Sequence, residues 1–176
     1  MHMNHNQTTT TPYTLKSFLP LIIIVAVILL LTLVKSWWSA DSGWDLYETM
    51  YDFMGCFLIV FGFFKIINLK KFVEAYREYD ILAKRFKGYA YFYPFLEFFL
   101  GLCYFFRYQL TLVNLITLIV MIINSIGVFN ALRQGKQIVC ACLGALFKIP
   151  MTWVTLSEDL LMGLMALVML IAHFRL

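Results

Sequence analysis

Cys140 and Cys142, separated only by Ala141, are the side chains in this sequence best suited to do chemistry together. In a regular helix residues two apart point to nearly opposite faces, whereas in looped or extended backbone they converge. Gly135, Gly144 and Pro150 surround the pair and mark a place where helix is interrupted. Two converging thiols support either of two chemistries. One is a reversible disulfide, strained at this spacing; the other is a soft-metal site for Cu(I), Zn(II) or Hg(II), with Met151 as a further donor. The bland alternative is a pair of small buried hydrophobes. Cys56 and Cys103 sit inside apolar runs far from this pair and read as core, unless they pair with each other.

A second set of residues is ionisable but lies in apolar surroundings. Glu97 and the neighbours Glu158 and Asp159 fall within runs of Leu, Phe and Met. Carboxyls at membrane depth cost about 2.5 to 3.5 kcal/mol on insertion scales and face a bundle interior or a wet cavity. Glu97 lies some eight residues into its segment and Glu158 eight residues past Pro150, which at about 1.5 Å per residue puts both roughly 12 Å from the same side. They are therefore expected to meet. Their functional reading is a proton or cation relay. The structural one is helix-to-helix glue, bonded to Asn114, Asn124, Ser125 or Ser157. Met162, Met165 and Met169 form a helical stripe that reads as packing. The chain has no phosphate loop, zinc-protease motif or nucleophile elbow. As an enzyme it is at most a thiol–disulfide relay, with no hydrolase or nucleotide-binding motif.

The elements that must position these groups follow from composition. The chain is 62% hydrophobic and 14% charged, against about 25% charged in ordinary soluble domains. Lipid must cover much of the surface, which limits the fold to helices or a closed barrel. Unalternating apolar runs of about 20 residues select helices. The fold class is all-α, a polytopic transmembrane bundle. Residues 1–15 form a polar tail carrying His2 and His5, expected to be disordered. Spans are expected at residues 17–34, 50–67, 89–106, 110–132 and from Pro150 to about 172, with a tight connection at 107–109. Lys65, near the end of its segment, is placed to snorkel. Residues 69–87 alternate Phe72, Val73, Tyr76 and Tyr79 with Lys and Arg, the pattern of an amphipathic interfacial helix.

Positive charge sets orientation, because cytoplasmic loops carry the excess of Lys and Arg. Of fourteen such residues, all but Lys35, Arg107 and Arg175 fall on one side of a five-span topology. The expectation is a multi-pass protein of the inner cell membrane, N-terminus cytoplasmic and C-terminus outside. Trp37, Trp38 and Trp44 suit the interface opposite. The net charge of +4 thus reports topology and gives no case for nucleic-acid binding.

Gly62-Phe63-Phe64-Lys65, Pro94-x-x-Glu97-x-x-x-Gly101, Cys140-Ala141-Cys142-Leu143-Gly144 before Pro150-Met151, and the run from Thr155 to Met162 share an order and spacing. In these features the chain from Gly62 onward resembles the MauE branch of the DoxX-like membrane proteins. The resemblance implies a four-helix core over residues 46–176, with the helix at 16–36 as an addition. It further implies a redox-associated protein of methylamine utilisation, assisting maturation, processing or transport of a disulfide-rich partner protein. Carried over, Cys140 and Cys142 become the thiol pair, with Glu97 and Glu158 as polar partners inside the membrane. The other readings are a soft-metal binding or transport accessory using Cys140, Cys142 and Met151, and a structural subunit of a membrane complex. A homo-oligomer is compatible with each.

Overall fold

The computed structural model describes residues 19–38, 45–134 and 153–175, and among these every element is helical. The tail at 1–15, Trp44, and the connection with Cys140, Cys142, Met151 and their flanking Gly135, Gly144 and Pro150 lie outside the described residues.

α1 (Leu19–Trp38) is an unbroken apolar run. Its one buried hydroxyl, on Thr32, donates back to the carbonyls of Ile28 and Leu29 at 3.0 and 2.9 Å, so no polar group is left facing lipid. Asp45 caps α2 (Leu46–Ile67), its carboxylate accepting from the Tyr47 amide at 2.8 Å. Two short helices follow, α3 (Leu69–Tyr76) and α4 (Ile81–Arg85). The single amphipathic helix expected over 69–87 is thus divided in two. Asp80 is the cause: its carboxylate accepts from the Ala83 amide at 2.7 Å and starts a new helix there. Both pieces turn Phe72, Val73, Tyr76 and Ala83 inward and keep Lys70, Lys71, Lys84 and Arg85 exposed.

α5 (Lys87–Phe105) runs through Pro94, and α6 (Leu110–Arg133) follows a tight connection, as expected. Arg107 and Gln109 both have left-handed backbone there, φ 56° and 48°, each costing about 1 to 2 kcal/mol for a residue with a Cβ. Arg107 is held in place by hydrogen bonds to Glu48, Asp52 and the Tyr104 carbonyl. α7 (Trp153–Arg175) completes the fold.

The helices alternate in direction. Gly62 of α2 meets Phe98 of α5, while Gly55, two turns earlier, meets Phe105. A Cβ built on Gly101 would stand 2.8 Å from the Ile59 backbone nitrogen, so these two backbones are in direct contact. Tyr104 bonds Asn114 across the α5–α6 pair, and Asn124 reaches Asp159 across the α6–α7 pair. α1 lies outside this antiparallel set, against α2. It is tied there by Lys35 to Asp52 at 2.7 Å and by Ser36 to Thr49 at 2.9 Å.

Among the described residues four helices are long and apolar enough to cross a membrane: α1, α2, α6 and the Leu156–His173 stretch of α7. The fifth expected span, α5, falls short in apolarity rather than length. Its 19 residues reach about 28 Å, but they include Tyr89, Tyr91, Tyr93, Tyr104 and Glu97.

Candidate functional site

Where α2 ends and α3 folds back, the bundle buries a cluster of charge. Lys65, two residues from the end of α2, is only 6% exposed. Its ammonium donates to both carboxylate oxygens of Glu97, at 2.7 and 2.5 Å, and Glu97 is 4% exposed. This corrects the expectation that Lys65 snorkels to the interface. The route outward is closed because α3 folds across the helix end, setting Phe72 over the ammonium, while the antiparallel register of α2 and α5 brings Glu97 alongside. The same ammonium lies 5.1 Å from the Tyr93 ring and 5.8 Å from the Phe72 ring, near enough for cation–π attraction in a desolvated setting.

Glu97 is therefore the centre of a larger group. One cleft is lined by Lys65 from α2, Tyr76 from α3, Tyr79 from the α3–α4 connection, Tyr93 and Glu97 from α5, Asn124 from α6, and Glu158 and Asp159 from α7. Glu97, Glu158 and Asp159, the three carboxyl residues singled out in the sequence, all line this cleft. The Asn124 amide faces both Asp159 oxygens at 3.3 and 3.4 Å and the Tyr93 hydroxyl at 3.5 Å, long contacts with little strength individually. The structural partner expected for Glu97 among Asn and Ser residues is instead Lys65, whereas Asn124 serves Asp159.

Aromatic rings wall the membrane-end side. Tyr76 stacks on Tyr93 at 4.8 Å and on Phe72 at 5.0 Å, and meets Tyr79 edge-on at 5.5 Å. Beside the Tyr76 hydroxyl lies Asp80, wholly buried. Burial pushes the Asp80 carboxyl up from its ordinary range, against the pull of its hydrogen bond from Ala83. Burial likewise pushes the Tyr76 phenol well up, so it stays protonated and able to donate.

Sequence reasoning did not single out Lys65, Tyr76, Tyr93 or Asp80 as parts of this site. A signal existed for the first: in the antiparallel pairing that sets Gly62 against Phe98, position 65 falls opposite 95, only about 3 Å of helix rise from Glu97 and within reach of a lysine side chain. Among the described residues no three His, Cys, Asp or Glu side chains converge as metal ligands. Cys56 and Cys103 are free thiols, Cys103 buried in the core as expected.

A helical membrane bundle with a buried ion pair and further, half-buried carboxyl groups among tyrosines is the class that fold and site define. The family model of methylamine utilisation protein MauE matches residues 44–172, from the start of α2 almost to the end of α7. The chain belongs to that family, and is a multi-pass membrane protein within it. The match begins beyond α1. No curated protein and no solved structure is similar enough to match.

Proposed function

We propose that this protein is a membrane-embedded thiol–disulfide relay, in which Cys140 and Cys142 exchange disulfide with a partner protein during its maturation in a methylamine-utilisation system. The observation that carries the reading is the family match, which spans both cysteines, taken with their Cys-x-Cys spacing. In the exchange one thiolate attacks a sulfur of the partner's disulfide and forms a mixed disulfide. The second cysteine then displaces the partner's thiolate, so that one dithiol and one disulfide change places. The reverse direction uses the same steps.

Support for the membrane arrangement comes from the helix directions. α5 lies along α2, and its 19 residues match the hydrocarbon core of about 30 Å, which favours five crossings. With that count the ends of α2 and α6 and the starts of α5 and α7 share one side, with exposed Lys70, Lys71, Arg77, Lys84, Arg85, Lys87 and Arg133. The positive-inside rule makes that side cytoplasmic. The segment carrying Cys140 and Cys142, which joins α6 to α7, leaves from it. α2, α5, α6 and α7 then form the family core, and α1 is an additional anchor.

The test is mixed-disulfide trapping in native membranes. With Cys142→Ser, the remaining Cys140 thiol is expected to hold a partner in an adduct that dissolves on reduction and is missing in the double variant Cys140→Ser, Cys142→Ser. Full partner maturation in that double variant would sink the reading and leave a structural subunit. Metal retained through purification under reducing conditions, with Cys140, Cys142 and Met151 required for it, would favour the soft-metal accessory instead.

A further inference from the structure

The buried cleft has two polar atoms that the protein itself does not satisfy. The Tyr76 hydroxyl and the Asn124 side-chain oxygen are cut off from solvent and make no hydrogen bond, on residues 1% and 7% exposed. Each unmade buried hydrogen bond costs about 1 to 3 kcal/mol, so two at one cleft point to a small hydrogen-bonding guest. The cleft measures about 20 Å³, the room a single water molecule needs. An organic ligand does not fit.

What surrounds that space is arranged in order of depth. Asp80, whose second carboxylate oxygen is also buried without a hydrogen bond, lies beside Tyr76 at the membrane end. Tyr76 and Tyr93 stack, and the Tyr93 hydroxyl approaches the Asn124 amide, which in turn faces Asp159. We propose that this cleft is a proton-transfer site in which a water bridging Tyr76 and Asn124 links Asp80 at the membrane end to the Asp159 carboxyl inside the bundle. The proton balance is simple. Asp80 gives its proton to the Tyr76 oxygen and becomes a carboxylate, Tyr76 passes its own hydroxyl proton to the water, and the water passes one to Asp159, which also lines the cleft and changes from carboxylate to neutral acid; the Asn124 amide holds the water and carries no proton.

The groups that set the field at Asp159 come from every neighbouring element. Lys65 of α2 and Glu97 of α5 form a pair held by two hydrogen bonds. Tyr93 of α5, Tyr76 of α3, and Tyr79 and Asp80 of the α3–α4 connection are protonatable donors. Glu158, next to Asp159 on α7, is the other carboxylate on the cleft. The proposal goes beyond the thiol relay and does not depend on it.

Infrared difference spectroscopy tests it on the full chain in lipid nanodiscs, comparing acidic with neutral buffer in H2O and D2O. Carboxylic-acid absorption that grows as pH falls is expected, with one component of it lost in Asp159→Asn. In Tyr76→Phe, which keeps the stacked ring, that component is expected to remain while its exchange with D2O slows roughly 100-fold, the lower range for loss of a positioned proton donor. Absorption that is unchanged in Asp159→Asn assigns the titration elsewhere and overturns the proposal. So does exchange in Tyr76→Phe as fast as in the parent protein. Tyr91→Phe, an exposed tyrosine on the same helix as Tyr93, is the matched control and is expected to change neither.

Discussion

Replacing Lys65 by methionine keeps the length of the side chain but strands the Glu97 carboxylate in an interior where it is 4% exposed. Breaking a buried pair from one side costs about 3 to 5 kcal/mol, because the remaining charge loses its partner without regaining water. Both Glu97 oxygens are bonded to the one ammonium, so its loss takes both of these hydrogen bonds from the carboxylate at once. Lys65→Met and Glu97→Leu are each expected to lower stability by that amount. The double variant Lys65→Met, Glu97→Leu removes both charges at once and is expected to fall within about 1 to 2 kcal/mol of the parent, as buried pairs replaced by apolar side chains do. The coupling from such a cycle is therefore several kcal/mol. Unfolding by increasing SDS in mixed micelles, followed by circular dichroism, measures all four corners. Single variants that each lose less than about 1 kcal/mol, or a double variant that loses the sum, would refute the buried pair as described.

Other substitutions probe the rest of the architecture. Gly101→Ala sets a methyl 2.8 Å from the Ile59 nitrogen and is expected to cost about 1 to 3 kcal/mol by forcing α2 from α5. Gly163→Ala meets only the Met121 Cβ at 3.5 Å and is expected to be neutral or to gain up to about 1 kcal/mol in helix propensity; the same SDS titration compares them. Asp52 is 6% exposed and bonds both Lys35 and Arg107, whereas the Lys35 side chain is 55% exposed. Asp52→Ala is thus expected to cost about 2 to 3 kcal/mol and Lys35→Ala less than about 1, read from thermal unfolding. Because burial raises Asp80 in the folded chain above its ordinary value of 3.8, its contribution to stability is complete below that value and is lost as pH rises through the folded one. Asp80→Asn is expected to flatten this pH dependence while retaining a cap on α4, whereas Asp80→Ala loses the cap at about 1 kcal/mol; melting curves across pH distinguish them.

Much of this molecule was legible in its sequence because lipid imposes simple rules. Long apolar runs must be helices, and the positions of α1, α2, α5, α6 and α7 follow them to within a few residues. The meeting of Glu97 with Glu158 and Asp159 was legible for the same reason, since helix rise converts position into depth. Lys65 was not, because its fate turns on α3 folding back across the end of α2, a tertiary event that periodicity does not encode. The division of residues 69–87 turned on Asp80, whose capping role competes locally with an otherwise continuous amphipathic pattern. α5 was read as a plain span although its tyrosines serve the site: Tyr93 and Tyr104 are buried against other helices rather than facing lipid.

The relay itself is tested most directly by thiol trapping on the purified, metal-free protein across a series of glutathione potentials, with metal content measured on the same sample. A disulfide is expected that forms and dissolves reversibly along the series and vanishes in Cys140→Ser. Thiols at Cys140 and Cys142 that stay reduced at every potential, with or without a bound metal ion, would contradict it.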